Sequence, residues 1–140
     1  LAKTSNPGSG ELQNVTAGDR LVYQLLGDMA EKLGAGSEGK YGYGLAGAVT
    51  GATYPEELQE QRARLPHTFF LVPGYGAQGG TAEDVQHAFD KDGHGAIVNA
   101  SRSIMCAWQK TGGDGTDFQA AARTAAETMR DAIAQYVTIR

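Results

Sequence analysis

The sequence predicts an α/β fold built on a parallel β-sheet. Short apolar runs alternate along the chain with segments of helical periodicity, and no hairpin signal joins one run to the next. Runs bounded by Gly and Pro are typical of strands buried on both faces of a parallel sheet. The predicted strands are Leu1–Thr4, Gly44–Val49, Thr68–Val72 and Gly95–Asn99. About four such β/α units amount to half of a (β/α)8 barrel.

The first two predicted helices each begin at a threonine. Thr16 is predicted to cap the first, with Asp19 in its first turn and leucines at helical spacing behind it, and Gly34 marks its end. Thr53 is predicted to cap the second helix, which should end before Pro66.

The remaining helices lie around and after the last strand. Thr81 is predicted to cap a helix on the pattern Thr-Ala-Glu-Asp, and its core-facing neighbours are Val85, Ala88 and Phe89. A short helix is predicted over Ile104–Gln109, followed by a Gly-rich linker at Thr111–Thr116. An Ala-rich helix is predicted over Phe118–Ile139.

The length of the chain sets a limit on the architecture. Its 140 residues are enough for one domain with a core of its own. A complete (β/α)8 barrel needs at least about 200 residues. Because Leu1 is not an initiator methionine and lies within a predicted strand, we expect a fragment that begins inside a barrel and runs to the natural C-terminus.

Charge and composition narrow the range of partners. The net charge of −4 argues against nucleic acid, since a protein that binds a phosphate backbone presents a basic surface. The sequence has no signal peptide and no apolar run of about 18 residues, so we expect a soluble protein without a membrane partner. A single cysteine, Cys106, excludes an internal disulfide and suits a reducing cytoplasm, the expected location.

Two segments that follow predicted strands favour an anion site. The loop after Thr68–Val72 is rich in glycine, so its backbone N–H groups can approach a phosphate closely, and a helix N-terminus follows. Arg102, just beyond the last strand, can add a bidentate contact to the same anion. Many (β/α)8 barrels bind phosphate at the ends of strands 7 and 8. We therefore predict an anion site formed by the Gly76–Gly80 loop with Ser101 and Arg102.

The order of these features resembles a known family. Pro73–Gly80 reads Pro-Gly-x-Gly-x-Gln-Gly-Gly between a strand and a helix, and Ser101-Arg102 follows the next strand. This arrangement resembles the C-terminal part of orotidine 5′-phosphate decarboxylase, in the subfamily with the longer form of the enzyme. Lys3–Gly8 and Val49–Pro55 are similar to the family's strand 5 end and strand 6. The resemblance thus covers nearly the whole chain.

The resemblance implies a fold and a reaction. Residues 1–140 would form the C-terminal half, strands 5 to 8, of a single TIM-barrel decarboxylase domain. The family's reaction, in pyrimidine biosynthesis, converts orotidine 5′-phosphate to uridine 5′-phosphate and carbon dioxide without a metal or organic cofactor. A lysine in an Asp-x-Lys-x-x-Asp pattern at the end of strand 3 protonates the resulting carbanion.

The resemblance also implies roles for individual residues. Gln78 would bridge the phosphate and the pyrimidine, because an amide offers both a donor and an acceptor. Arg102 would pair with the phosphate, together with backbone N–H groups of Ser101 and Arg102, and Gly79 belongs to the same substrate-binding set. Ser5 would hydrogen-bond the pyrimidine ring. From the residues alone, a solvated loop glutamine, a surface arginine and a turn serine remain alternatives.

The chain itself carries no predicted catalytic residue. Its sequence contains no Asp-x-Lys-x-x-Asp pattern, and the cluster Asp90–Asp92 lacks that spacing and is interpreted as a solvated turn before a glycine. Its histidines, His67, His87 and His94, share no metal-ligand spacing, so we predict no metal site.

Alternatives of two other kinds remain open. The chain could be a non-catalytic phosphate-binding half-barrel that acts as a module or assembly partner, which the missing catalytic pattern supports. It could also belong to a related sugar-phosphate decarboxylase, although Gln78 and Ser5 address a pyrimidine and count against this. Half a barrel leaves open sheet edges and an apolar inner face. We therefore expect pairing with the N-terminal half or self-association, a homodimer for the full-length enzyme, and no activity from this chain alone.

Overall fold

A three-stranded parallel sheet lies at the centre of the structure. The computed structural model describes residues 1–112, 114–138 and 140. The strands are β3 (Gly47–Val49), β4 (Phe69–Val72) and β5 (Ala96–Val98), and they lie side by side in chain order. This confirms the predicted parallel sheet and three of its strands, each somewhat shorter than expected.

The fourth predicted strand is reduced to a single pair. Lys3 forms one parallel bridge with Thr50, just beyond the end of β3, where the N–H of Gly51 donates to the carbonyl of Lys3 at 2.8 Å. The N–H groups of Ala2 and Lys3 both donate to the same carbonyl, that of Val49. Because one acceptor serves both donors, no regular ladder forms, and the prediction of a full strand over Leu1–Thr4 is wrong in extent although right in place.

Helices connect and cover the strands. The α-helices are α1 (Gly10–Gln13), α2 (Val22–Gly34), α3 (Pro55–Arg64), α4 (Ala82–Val85), α5 (Ser101–Met105) and α6 (Phe118–Ile133). Short 3-10 helices occupy Pro7–Ser9, Gln86–Ala88 and Ala107–Lys110. The end of α3 before Pro66 agrees with the prediction.

The first helix starts later than predicted because a small hairpin precedes it. Thr16–Ala17 (β1) pairs antiparallel with Arg20–Leu21 (β2). Gly18 has a φ of 70°, a conformation that lets the chain reverse between these strands and that a helix cannot contain. The prediction of Thr16 as a helix cap is therefore wrong, and α2 begins at Val22.

The other two predicted caps have different outcomes. The hydroxyl of Thr53 donates to the carbonyl of Ser5 at 3.2 Å, and Tyr54 stands at the N-terminus of α3 in its place. At α4 the prediction is confirmed. The Thr81 hydroxyl accepts from the N–H of Asp84 at 3.2 Å, and the Asp84 carboxylate accepts from the N–H of Thr81 at 2.8 Å.

The C-terminal helices are shifted from their predicted bounds. The predicted helix over Ile104–Gln109 begins earlier, as α5 at Ser101, and a 3-10 helix over Ala107–Lys110 follows it. Helix α6 ends at Ile133, before the predicted end. The predicted end itself, Ile139, and Gly113 in the predicted linker lie outside the described residues.

The core lies between one face of the sheet and the helices. Phe70 and Val72 are fully buried there, and Val85 and Ala88 of the segment after Thr81 are buried against them, as predicted. Phe89 is partly buried at the edge of this core. Alternate residues of a strand point to opposite faces, so the other face of the sheet is a separate surface.

That opposite face is apolar and exposed. The exposed fractions of Phe69, Leu71 and Ile97 are 39%, 40% and 57%. The apolar runs predicted burial on both faces of the sheet, and in this chain only one face is covered, because its helices pack on one side.

An ion pair joins α2 to α3 and supports a prediction on pH. Asp28 accepts from Arg64 Nε at 2.5 Å and Nη2 at 2.6 Å, and from Arg20 at 2.6 Å. The hydrogen bond from Arg64 is the main cause of a lowered pKa for Asp28. A carboxyl whose pKa is lower in the folded protein stabilises it above the unfolded pKa of about 4, and this stabilisation is lost as the pH falls through the folded pKa.

We expect Asp28→Asn to lower the free energy of unfolding by about 1 kcal/mol at pH 7, because the carboxylate is partly exposed and screened. The difference from the unsubstituted chain should shrink below about pH 4. Urea denaturation at pH 7, 5 and 3 measures it. Asp131→Asn is the matched control, since Asp131 pairs with Arg130 on the exposed surface of α6. An equal difference at pH 3 and pH 7 would contradict the prediction.

Candidate functional site

The carboxyl ends of β4 and β5 are neighbours, because the two strands are parallel and adjacent in the sheet. The loop Pro73–Gly80 leaves the first, and residues Asn99–Arg102 leave the second. Together they enclose a cavity of about 170 Å³. Its polar lining residues are Gln78, Asn99, Ser101 and Arg102. Ligand sites in parallel α/β folds form at this end of the strands.

The glycine loop is a tight turn closed by its own hydrogen bonds. Gly74, Gly76 and Gly79 have φ values of 100°, 71° and 101°, which other residues rarely adopt. The N–H of Gly76 donates to Gly80 at 2.8 Å, that of Gly79 to Gly76 at 2.9 Å, and that of Gly80 to Gly74 at 3.1 Å. The glycines therefore shape the loop around itself.

This geometry changes what the loop can offer to an anion. The sequence predicted that the backbone N–H groups of this loop can approach a phosphate closely, but most of those in Gly76–Gly80 are already paired inside the loop. The N–H of Gln78 is the one in this range without an acceptor among residues 1–112. Gly79 does not line the cavity, and its N–H donates to the carbonyl of Gly76. Within Gly76–Gly80, Gln78 is thus the one residue that both lines the cavity with its side chain and has a backbone N–H without an acceptor in the described residues.

Arg102 lies at the mouth of the cavity in the first turn of α5. It is exposed, and it also lines an adjoining cavity of about 440 Å³ together with Lys110. No carboxylate lines either cavity among the described residues. The positive charge of Arg102 is therefore not neutralised locally, which suits the binding of an anion.

Ser5 lies beside the cavity without lining it. Its hydroxyl donates to the carbonyl of Pro73 at 3.1 Å, which places it against the start of the glycine loop. A hydroxyl that donates one hydrogen bond can still accept others. The structure thus brings Gln78, Ser101 and Arg102 into one cavity and places Ser5 next to it.

Asn99 lines the cavity and was missed by the sequence analysis. It follows β5 directly, and its N–H donates to the carbonyl of Val72 at 3.2 Å, so its backbone continues the pairing of the two strands. The sequence could have indicated Asn99, because it is a polar residue at the carboxyl end of a predicted buried strand.

Lys3, also missed, is buried just before Ser5. Its exposed fraction is 1%, its ammonium donates to Asn14 at 2.7 Å, and it lies 3.5 Å from Glu57. The ring of Tyr54 lies 4.5 Å from the same ammonium. No local pattern predicts this, because Asn14 follows α1 and Glu57 lies in α3, far along the chain from Lys3. The cluster anchors the segment that carries Ser5.

Two features are absent from the part of the chain that the structure describes. Within it, no group of three or more His, Cys, Asp or Glu side chains is arranged to hold a metal ion. Nor does any helix in these residues have the length and apolar character needed to span a bilayer.

Comparison with known proteins identifies relatives. Residues 1–111 match the model of the orotidine 5′-phosphate decarboxylase / HUMPS family. Orotidine 5′-phosphate decarboxylase of Rhodopirellula baltica is 44% identical over 135 residues, which cover 94% of this chain and 45% of that protein. The enzyme of the same name from Clostridium perfringens strain SM101 is 44% identical over 138 residues, 98% of this chain and 47% of that one. The chain therefore spans less than half the length of these curated relatives.

Solved structures show the same fold. UMP synthase of Leishmania donovani superposes with a TM-score of 0.67 at 38% identity, over 94% of this chain and 26% of that chain. OMP decarboxylase of Leishmania donovani superposes with a TM-score of 0.67 at 32% identity, over 91% of this chain and 45% of that chain. The parallel sheet and its helices form about half of a (β/α)8 barrel, which confirms the predicted fold class. From the family match over most of its length and from these superpositions, the chain belongs to the orotidine 5′-phosphate decarboxylase / HUMPS family.

Proposed function

We propose that this chain supplies the phosphate site and part of the pyrimidine site of an orotidine 5′-phosphate decarboxylase. This carboxy-lyase converts orotidine 5′-phosphate to uridine 5′-phosphate and carbon dioxide. The observation that carries the proposal is the convergence of Gln78, Ser101 and Arg102 on one cavity at the ends of two parallel strands. The relatives that bear this enzyme's name support the reaction.

Phosphate binding rests on Arg102 and the backbone around it. A guanidinium can donate two parallel hydrogen bonds to a phosphate, and no carboxylate in the described cavity lining competes for it. The N–H groups of Ser101 and Arg102 lie in the first turn of α5, where donors are directed away from the helix. Gln78, whose N–H has no acceptor in the described residues, lines the same cavity and can add a donor.

Pyrimidine recognition rests on Gln78 and Ser5. The amide of Gln78 can donate to a phosphate oxygen and accept from a ring N–H, so it can span both parts of the nucleotide. Ser5 lies at the start of the same loop and adds a hydroxyl. Gly79 contributes to the same site through the turn that presents Gln78, which its φ of 101° allows.

Within this proposal the chain contributes binding energy, and the proton donor lies elsewhere. Its 140 residues contain no Asp-x-Lys-x-x-Asp pattern, so the lysine that protonates the carbanion would come from outside this chain. Contacts to a phosphate remote from the reacting carbon still accelerate the reaction when they strengthen in the transition state. We assign that role to Arg102 and Gln78.

The exposed sheet face completes the proposal. Phe69, Leu71 and Ile97 present apolar surface next to unpaired strand edges, which recruit other strands. We propose that the N-terminal half of the barrel covers this face in the full-length homodimer, and that a second copy covers it when the chain is alone.

The test compares this chain with the protein expressed from its complete coding sequence. The complete protein should consume orotidine 5′-phosphate, followed by absorbance, and the chain alone should not. In sedimentation the chain alone should be larger than a monomer. A complete protein that binds uridine 5′-phosphate without turnover would favour the alternative, a non-catalytic phosphate-binding module. A monomeric chain would refute the proposed covering of the sheet face.

A further inference from the structure

Ser5 lies in a notch between two glycines that follow neighbouring strands. A side-chain carbon built on Gly51, just after β3, would overlap the Ser5 hydroxyl and lie 2.9 Å from the Ser5 nitrogen. A carbon built on Gly74, just after β4, would lie 2.6 Å from the same hydroxyl. Real side-chain carbons essentially never approach other heavy atoms this closely. Ser5 can therefore occupy this notch only because neither position carries a side chain.

The two glycines differ in why they are glycine. Gly74 has a φ of 100°, so its backbone alone disfavours any other residue. Gly51 is not among the glycines with positive φ, so alanine could adopt its backbone conformation without strain. What excludes a side chain at Gly51 is the space that Ser5 occupies.

The segment that carries Ser5 has little room to retreat. Thr53 donates a hydrogen bond to the Ser5 carbonyl, and Ser5 donates one to Pro73 at 3.1 Å. The N–H of Gly51 itself donates to the carbonyl of Lys3 at 2.8 Å. A methyl group at Gly51 would therefore displace the Ser5 hydroxyl rather than rotate it away.

The position of Ser5 also determines how close its hydroxyl lies to the side chain of Gln78. The carbon built on Gly74 would lie 2.6 Å from the Ser5 hydroxyl and 3.1 Å from Gln78 Oε1, so both polar groups converge on one point. Gly51 follows β3, whereas Ser101 and Arg102 follow β5, and β4 lies between these two strands in the sheet. A shift of Ser5 would thus alter one part of the site and leave the other intact.

We propose that Gly51 is a positioning residue for nucleobase recognition. By leaving room for Ser5 it holds the Ser5 hydroxyl at the distance from Gln78 that a pyrimidine needs, and it does not act on the phosphate contacts. The inference rests on the proposed function, because it takes uridine 5′-phosphate as the ligand.

The test measures two ligands by calorimetry, in the protein expressed from its complete coding sequence. Gly51→Ala should weaken binding of uridine 5′-phosphate by about 5- to 10-fold, the effect of one lost hydrogen bond. Binding of ribose 5-phosphate, which has the phosphate and no base, should stay within about twofold. In a Ser5→Ala background, adding Gly51→Ala should have little further effect on either ligand, because the contact it disturbs is already absent.

Gly39→Ala is the matched control. Gly39 also lacks a positive φ, and an added carbon there meets only the Tyr43 carbonyl at 3.8 Å, an ordinary contact. Thr53→Val is a second variant, in case Gly51→Ala does not fold. It removes the hydrogen bond to the Ser5 carbonyl without adding volume, and it should show the same selectivity for the base at a smaller magnitude.

Three outcomes would overturn the inference. Equal weakening of both ligands by folded Gly51→Ala, or by Thr53→Val if that variant alone folds, would indicate a general structural role. If Ser5→Ala weakens binding of uridine 5′-phosphate and folded Gly51→Ala does not, or Thr53→Val does not where it alone folds, Gly51 does not act through the position of Ser5. If the unsubstituted protein binds neither ligand, or both equally, the proposed function fails and the inference fails with it.

Discussion

Arg102→Ala is expected to weaken binding of uridine 5′-phosphate by about 30- to 150-fold. This corresponds to about 2–3 kcal/mol, the contribution of a charge-assisted bidentate contact. The loss should be large because no carboxylate lines the described cavity and the charge of Arg102 is available to the ligand. Calorimetry on the protein from the complete coding sequence measures it, and ribose 5-phosphate should weaken in parallel.

Two further variants separate charge from geometry. Arg123→Ala removes one positive charge from the exposed surface of α6, where Arg123 pairs with Glu127, and should leave binding unchanged. Arg102→Lys keeps the charge and loses the planar fork, so it should fall between Arg102→Ala and the unsubstituted protein. If Arg102→Ala and Arg123→Ala bind uridine 5′-phosphate equally well, Arg102 does not hold the phosphate.

Arg62→Met is expected to lower the free energy of unfolding by about 2–4 kcal/mol. The half-buried guanidinium of Arg62 donates to Thr68 at 2.9 Å, to Gly95 at 3.2 Å and to Leu65, and it lies 4.1 Å from the centre of the Phe70 ring. It therefore ties the end of α3 to the beginnings of β4 and β5. Burial lowers the pKa of Arg62, but a guanidinium remains charged near neutral pH.

Urea denaturation at pH 7 measures this loss. Methionine keeps most of the aliphatic volume, so the change isolates the guanidinium and its hydrogen bonds. Arg130→Met is the matched control on the exposed surface of α6, where it should change stability by less than about 0.5 kcal/mol. A loss for Arg62→Met that is no greater than the control's would show that the carbonyl groups find other donors.

The elements that were correctly predicted depend on neighbouring residues. Phe69–Val72 forms a strand because four apolar residues stand between turn-forming ones, and Thr81 caps α4 because Asp84 is close enough to complete the reciprocal pair. The meeting of Gln78 with Arg102 was also predictable, since adjacent parallel strands bring their carboxyl ends together.

The failures share a different cause. The hydroxyl of Thr16 could cap a helix, but Gly18 allows the chain to reverse there and Thr16 lies in a hairpin strand. Thr53 has the same chemistry, and its hydroxyl bonds to Ser5, which lies 48 residues earlier. The N–H groups of the glycine loop were expected to approach a phosphate, and most of those in Gly76–Gly80 bond to carbonyl groups of the loop itself. In each case a hydrogen-bonding group had more than one possible partner.

The sequence alone therefore determined the parallel β/α architecture, the order of the strands and the residues at their carboxyl ends. Apolar periodicity and turn chemistry act over a few residues, and they can be recognised without knowing the fold. Only the tertiary structure decided the burial of Lys3, the notch at Gly51 and the pairing, among the described residues, of every N–H group in Gly76–Gly80 except that of Gln78. Those features depend on groups far apart in the chain competing for the same space and the same hydrogen bonds, and packing selects among them.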